Sequence, residues 1–210
     1  MEVEIKLNFN GKEDYERALS LFATPIETDH QTNTYFTDKL NLLQQNKVMC
    51  RLRRTGKESV LTVKTAGSVE HGIQRVPEIE CTIDESIADQ IMDKPELFFT
   101  LDNEPVNHVK QSFPTLSDLS ILGSFQNVRQ KVAWTCPIGD GIPLILEFDH
   151  SIFPTFERYM LEIETDHPEE VLGNVEELFT SNQIPTTRGT EQKMVLFMRS
   201  LSESQKRKEV

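Results

Sequence analysis

Soft metal ligands are sparse in this chain. Its three cysteines, Cys50, Cys81 and Cys136, are widely spaced and lie in apolar, strand-like segments. They read as buried, reduced thiols of a cytoplasmic protein, since neither a disulfide framework nor a zinc spacing can be built from them. The five histidines, His30, His71, His108, His150 and His167, are scattered too, with no His-x-x-x-His pair. No apolar run reaches the roughly 18 residues of a membrane span. The N-terminus has no basic-then-apolar signal pattern, so no membrane is expected as a partner. Basic residues are also in the minority, 22 against 34 acidic ones, for a net charge of −12. That argues against nucleic acid, whose binding draws on a basic surface. A small anionic ligand stays open, because the placement of the bases matters more than their number.

The chain does have the means to build a core. Of its 210 residues 37% are hydrophobic, with 12 phenylalanines, which suits one domain of ordinary to large size. No Pro/Gly-rich stretch divides it. "MEVEIKLNF" alternates charged and apolar residues as a strand does. "NGKEDYERALSLF" is helical, capped by Asn10 or Gly11, with Tyr15, Ala18, Leu19 and Phe22 on one face. "ETDHQTNTYFT", "VMCRLRRT" and "ESVLTVKTA" read as strands, the last two as a hairpin. "GIQRVPEIECTI" reads as a further strand with a bend or edge at Pro77. Positions 84–114 shift to helical periodicity broken by Pro95 and Pro105, a helical insert. Strands return in "LGSFQNVRQKVAWTC", "LILEFDHS" and "RYMLEIET". "DHPEEVLGNVEELF" carries helix-start signals at Asp166 or His167, with Pro168 in the first turn. "GTEQKMVLFMRSL" suits a short helix or a strand, and 202–210 a solvated tail.

Like charges recur two residues apart, around one apolar residue. Arg51 and Arg53 flank Leu52, Glu78 and Glu80 flank Ile79, Glu147 and Asp149 flank Phe148, and Glu162 and Glu164 flank Ile163. Arg129 and Lys131 share a face, as do Thr62 and Lys64, and Glu2, Glu4 and Lys6 open the chain in the same way. A merely solvated face usually mixes signs to gain cross-strand pairs. Sorted charges fit better inside a sheet that closes into a barrel of about eight strands, apolar outside and charged within. Carboxylates clustered without Cys or His suit a hard divalent cation. Clustered Arg and Lys suit phosphate oxygens. A metal–polyphosphate complex needs both.

With these residues in view the chain resembles the CYTH superfamily, the triphosphate tunnel metalloenzymes. The family's N-terminal Glu-x-Glu-x-Lys strand is matched by Glu2, Glu4 and Lys6. "CRLRR", "LTVKT", "PEIE", "FQNVRQKVAW", "LEFD", "LEIE" and the late lysine of "TEQKMVLF" follow in family order, so the likeness covers 1–201. It is greatest to small standalone plant-type members. The resemblance implies an α+β fold: a closed, eight-stranded antiparallel barrel, a tunnel with helices packed outside. It also implies hydrolysis of a small-molecule triphosphate with Mg²⁺ or Mn²⁺. Glu2, Glu162 and Glu164 would then hold the metal. Glu4, Glu80 and Asp149 would surround the attacking water or a second metal. Lys6, Arg51, Arg53, Lys64, Arg129 and Lys193 would bind phosphate oxygens, with Glu4 and Lys193 as the catalytic pair. Glu147, Glu78, Arg75, Lys131 and Arg54 match less well, Arg54 having the wrong parity.

Inorganic tripolyphosphate is the leading substrate, because it needs no pocket beyond charge. Thiamine triphosphate or another organic triphosphate would need an aromatic site, for which only Trp134, Tyr35 and nearby phenylalanines are available. Adenylyl cyclase activity also exists in the superfamily, and a non-catalytic polyphosphate sensor would use the same tunnel. A monomer or weak homodimer is expected.

Overall fold

The computed structural model describes residues 2–208, without the side chains of Glu2 and Lys208. They form an α+β fold built on a large antiparallel sheet, with strands β1 (Glu2–Phe9), β2 (Glu27–Thr37), β3 (Met49–Arg54), β4 (Ser59–Lys64), β5 (Ser68–Glu70), β6 (Ile73–Val76), β7 (Glu78–Ile83), β8 (Ser120–Cys136), β9 (Ile142–Ile152), β10 (Glu157–Glu164) and β11 (Thr186–Arg188). The helices are α1 (Lys12–Leu19), α2 (Leu42–Gln45), α3 (Glu85–Asp93), α4 (Glu104–Ser112), α5 (Pro168–Ser181) and α6 (Lys193–Lys208), with a 3-10 turn at Pro95–Thr100. The hydrogen-bonded order starts at β5 and ends at β7, with β11 added beside β1. Hydrogen bonds therefore do not close the sheet among the described residues, and it has eleven strands where a closed eight-stranded barrel was expected.

The chain gathers into two compact units. One comprises Glu2–His30, Ser68–Arg75 and the residues from Gln126 onward. Here β1, β10, β9 and β8 lie side by side, and each strand's alternation sends Ile5, Leu7, Leu161, Ile163, Leu146, Phe148 and Val132 to one face. That face is sealed by Tyr15 and Ala18 of α1 and by Val171, Leu172, Val175 and Phe179 of α5. Phe9 anchors the layer, stacking on Phe148 at 6.0 Å and meeting Phe179 at 5.7 Å and Tyr15 at 5.9 Å. Each such buried ring or branched chain contributes about 1.5–3 kcal/mol.

The other unit comprises Gln31–Gly67 and Val76–Phe125. Strands β2, β3, β4 and β7 pair in that order. Phe36, Cys50, Leu52, Leu61 and Val63 meet Ala88 and Ile91 of α3, Phe98 of the 3-10 turn, and Val106 and Val109 of α4. The three short helices of the insert are separated where Pro95 and Pro105 begin new turns, and the Asn103 side chain caps α4 by accepting from the Val106 amide at 3.1 Å. Between β2 and β3 the buried Asp38 carboxylate accepts from the amides of Leu40, Leu42 and Leu43.

Two segments depart from the sequence reading. "GIQRVPEIECTI" is two strands, because Pro77 interrupts the ladder: β6 belongs to one unit and β7, paired with β4, to the other. The C-terminal segment, read as a short helix or a strand, is helical from Lys193 through Lys208, so α6 runs on into positions 202–208. The thiols are free, as expected, with Cys50 and Cys136 buried and Cys81 half-buried. Burial, assisted by the Asp38 charge, pushes the Cys50 thiol up to about 12, which keeps it unreactive. No described helix is long and apolar enough to cross a membrane.

Candidate active site

In each unit the face opposite the apolar core carries the charged residues, because strand parity separates the two sets. In the first unit, pairing aligns Lys6 with Glu162, Glu162 with Glu147, and Glu147 with Lys131. The neighbouring rows align Glu4 with Glu164, Asp149 with Arg129, and Ser151 with Asn127. Lys6 Nζ lies 2.7 Å from Glu162 Oε1 and 3.0 Å from Glu4 Oε2. Gly189 fixes the backbone there: its amide donates to the Lys6 carbonyl at 2.8 Å, and a Cβ at 189 would meet Lys6 Cβ at 2.8 Å.

Arg129 sits at the middle of the face. Its Nε and Nη2 grip the two oxygens of Asp149 at 2.8 and 2.7 Å, Nη2 also reaches Glu162 Oε2 at 2.6 Å, and Nη1 donates to Glu147. The first residue of α6, Lys193, completes the cluster. Its Nζ donates to Glu162 Oε2 at 2.6 Å and to Asp149 Oδ2. Helix α6 is tied to the β9–β10 turn by Ser200 and Glu203, both bonded to Thr155. Three cations thus converge on Glu162. Burial by itself would raise that carboxyl, but Lys193, Lys6 and Arg129 outweigh it and hold it well below the ordinary range. Asp149 is likewise lowered, with Arg129 and Lys193 overcoming its burial. For Glu147 burial dominates and the carboxyl is pushed up, despite Arg129.

In the second unit, Arg51 donates from Nη2 to Thr62 Oγ1 at 3.1 Å and approaches Glu78 at 3.5 Å. Lys64 Nζ lies 2.6 Å from Glu78, and Arg53 Nη2 lies 3.6 Å from Glu80. Arg51 Nε is buried with no hydrogen-bond partner among the described residues. An orphaned guanidinium N–H is costly to leave unmet, and a phosphate oxygen would satisfy it.

The expected residues therefore fall into two sets. Glu4, Lys6, Arg129, Asp149, Glu162, Glu164 and Lys193 share the face of one unit. Arg51, Arg53, Lys64 and Glu80 share the face of the other. The Glu2 side chain, expected to bind metal, lies outside the described residues. Among the less certain residues, Glu147 and Glu78 are on these faces, bound to Arg129 and Lys64. Lys131 is also on the face, held by Glu27 at 2.9 Å and Asp29 at 3.7 Å. Arg54 points the other way, to Glu85 and Asp89 of α3, and Arg75 pairs with Glu169 of α5. Trp134 packs against the apolar core, edge-on to Phe22 at 6.2 Å. Asn127 and Ser151 were missed, although they stand two residues from Arg129 and Asp149 on the same strands.

Among the described residues, no three Asp, Glu, His or Cys side chains already converge as a metal nest. The carboxylates are instead held by Lys and Arg. Their chemistry nevertheless fits a hard cation: they offer oxygen donors alone, and Glu4 and Glu164 oppose each other directly across β1 and β10. Like charges so placed repel unless a cation intervenes. A separate cleft of about 290 Å³ lies against α5, lined by Ile73, Arg75, Leu172 and Arg188 among others. Its two arginines are already paired with Glu169 and Glu176.

The CYTH domain family matches residues 1–193. The chain belongs to the CYTH family. Among solved structures, this CYTH chain is similar to a Hippeastrum protein described as a candidate adenylyl cyclase with a dominant triphosphatase activity. The two share 27% identity with a TM-score of 0.86, over 95% of this chain and 96% of that one. A candidate adenylate cyclase of Bacillus halodurans has the same fold at 21% identity and a TM-score of 0.71, over 94% and 97% of the two chains. A Pyrococcus horikoshii protein shares it at 16% identity and 0.56, over 95% and 99%. No curated protein matches the chain.

Proposed function

We propose that this CYTH protein is a divalent-metal-dependent triphosphatase that splits inorganic tripolyphosphate into pyrophosphate and phosphate within a charged tunnel. The observation that carries the reading is the convergence of Lys6, Arg129 and Lys193 on Glu162. Phosphoanhydride hydrolysis needs charge neutralised and a water held in line, with little covalent help. Lys6, Arg129 and Lys193 exchange their carboxylate partners for phosphate oxygens, the role that the family resemblance also implies for Arg51, Arg53 and Lys64. Glu4 orients the attacking water and takes its proton. Lys193 donates to the oxygen on which charge develops as the anhydride bond breaks. Glu162 and Glu164, with Glu2 as the family resemblance implies, would hold Mg²⁺ or Mn²⁺, and Glu4, Glu80 and Asp149 are the further ligand set implied for a second ion. When bound, the ion neutralises phosphate charge and polarises the phosphoryl group.

The Hippeastrum relative's described triphosphatase activity supports hydrolysis over cyclisation. Trp134, half-buried against the apolar core on the side opposite the charged face, supports an inorganic substrate over one with an aromatic end. The free cysteines suit a reducing, cytoplasmic setting, and the protein works as a monomer or weak homodimer, which sedimentation would test.

The deciding experiment measures phosphate release from tripolyphosphate, thiamine triphosphate and ATP with Mg²⁺, Mn²⁺ or EDTA, and cyclic AMP from ATP. Metal-dependent release that is greatest with tripolyphosphate supports the assignment. Preference for thiamine triphosphate replaces the substrate, cyclic AMP replaces the reaction, and tight tripolyphosphate binding without turnover makes the protein a sensor.

A further inference from the structure

We propose that Asn127 and Ser151 are positioning residues of this site, acting through Asp149, and that Asp149 anchors the cationic wall instead of ligating metal. The inference rests on the triphosphatase reading and departs from the metal role that the family resemblance implies for Asp149. A carboxylate offers about four lone-pair sites, and Asp149 has all of its own filled. Oδ1 accepts from Asn127 Nδ2 at 2.8 Å and from Arg129 Nε at 2.8 Å. Oδ2 accepts from Arg129 Nη2 at 2.7 Å and from Lys193 Nζ. Among the described residues Glu162 accepts three donors, from Lys6, Arg129 and Lys193, and Glu147 accepts one, from Arg129. A cation drawn to Asp149 would have to strip a buried donor, whereas the glutamates have acceptor capacity to spare.

Ser151 determines how Asn127 is turned. Its Oγ donates to Asn127 Oδ1 at 2.7 Å, which leaves the amide nitrogen to face Asp149. Asn127, Ser151 and Asp149 are 1%, 0% and 0% exposed, so water cannot replace a lost partner cheaply. The chain of bonds from Ser151 through Asn127 to Asp149 thereby fixes Arg129 and Lys193 together, two of the cations assigned to phosphate. Asparagine suits the middle position, since an aspartate would set a second carboxylate against Asp149.

The test compares Asn127→Ala, Ser151→Ala, Ser151→Thr and Asp149→Asn with the full chain. Mn²⁺ binding is read by electron paramagnetic resonance, and tripolyphosphate binding by calorimetry in EDTA. Asn127→Ala and Asp149→Asn should weaken tripolyphosphate about tenfold, the weight of one charged hydrogen bond, and leave Mn²⁺ affinity unchanged. Ser151→Ala should weaken it less and Ser151→Thr should restore it. Loss of Mn²⁺ affinity in Asp149→Asn, with tripolyphosphate binding intact, would overturn the proposal. Should Asn127→Ala fail to fold, the Ser151 pair carries the same comparison. If the unaltered chain binds no tripolyphosphate, the triphosphatase reading is what fails. The anchor is then decided by the Arg129 Nε–H resonance, which should exchange slowly in the intact chain and broaden in Asp149→Asn; an unchanged signal would refute it.

Discussion

Lys6 and Glu162 face each other across β1 and β10, Nζ to Oε1 at 2.7 Å, with both side chains almost wholly out of water. Removing either member leaves buried charge without its partner, which is far costlier than losing an exposed pair. Lys6→Met should lower the unfolding free energy by about 3 kcal/mol, because Glu4 loses its ammonium as well. Glu162→Gln should cost at least as much, since three cations lose their shared carboxylate. Urea unfolding of both variants checks this; a loss under about 1 kcal/mol would mean that water screens the cluster.

The same cluster sets a dependence on pH. Glu162 and Asp149 titrate lower in the folded protein than in the unfolded chain, since the surrounding cations outweigh burial. Their stabilisation is therefore complete above the ordinary carboxylate range, near 4, and is lost as the pH falls through the folded values. Lys6 is shifted the other way: Glu162 and Glu4 overcome a burial that alone would lower it. Its contribution holds up to the ordinary lysine value near 10.5 and is lost only as the pH rises through the raised one. Glu147 has a raised carboxyl, so ionising it at neutral pH works against the folded state. Unfolding measured from pH 3 to 9 should show a shallower acid-side slope for Glu162→Gln, the remainder being due to Asp149, while Glu147→Gln is no less stable than the parent at pH 7.

These charges were legible because a strand's parity is fixed: once Leu52 or Ile163 is inward to the core, its neighbours must share the opposite face. Arg54 was separable from Arg53 on that ground alone. Parity says nothing of which strands become neighbours, so the division of "GIQRVPEIECTI" at Pro77 into strands of different units was not readable. Nor does it rank polar residues. Asn127 and Ser151 have the correct parity but carry no charge, and only the bonds to Asp149 reveal their weight. The helix from Lys193 onward was obscured because Met194–Phe197 suits either period, and what settles it is the packing of Leu196 and Phe197 and the tie from Ser200 to Thr155.

Arg53 and Arg54 differ by one position and should differ in consequence. Arg53 lies on the charged face near Glu80, whereas Arg54 holds Glu85 and Asp89 at a partly exposed helix. Arg53→Ala should raise KM for tripolyphosphate about tenfold, as loss of a charged phosphate contact does. Arg54→Ala should leave KM alone and cost about 0.5–1 kcal/mol of stability, the scale of an exposed pair. Steady-state kinetics beside thermal unfolding separates the two, and a matching rise in KM for Arg54→Ala would show that parity misassigns it.

Trp134 is the one tryptophan, and it is the residue a search for an organic-substrate platform would choose first. It has the parity of Val132, which is fully buried, and its half-buried ring meets Phe22 edge-on against the core of β1, β8, β9 and β10, on the side opposite the charged face. A ring on that side is not placed to stack on a base or a thiazolium held at the charged face. Trp134→Phe should therefore leave the ratio of rates on tripolyphosphate and thiamine triphosphate unchanged. Trp134→Ala should remove about 1–2 kcal/mol of stability, less than for a fully buried ring because part of the indole already faces water. A change of substrate ratio in Trp134→Phe, at unaltered stability, would put the indole beside the ligand and reopen the case for an organic triphosphate.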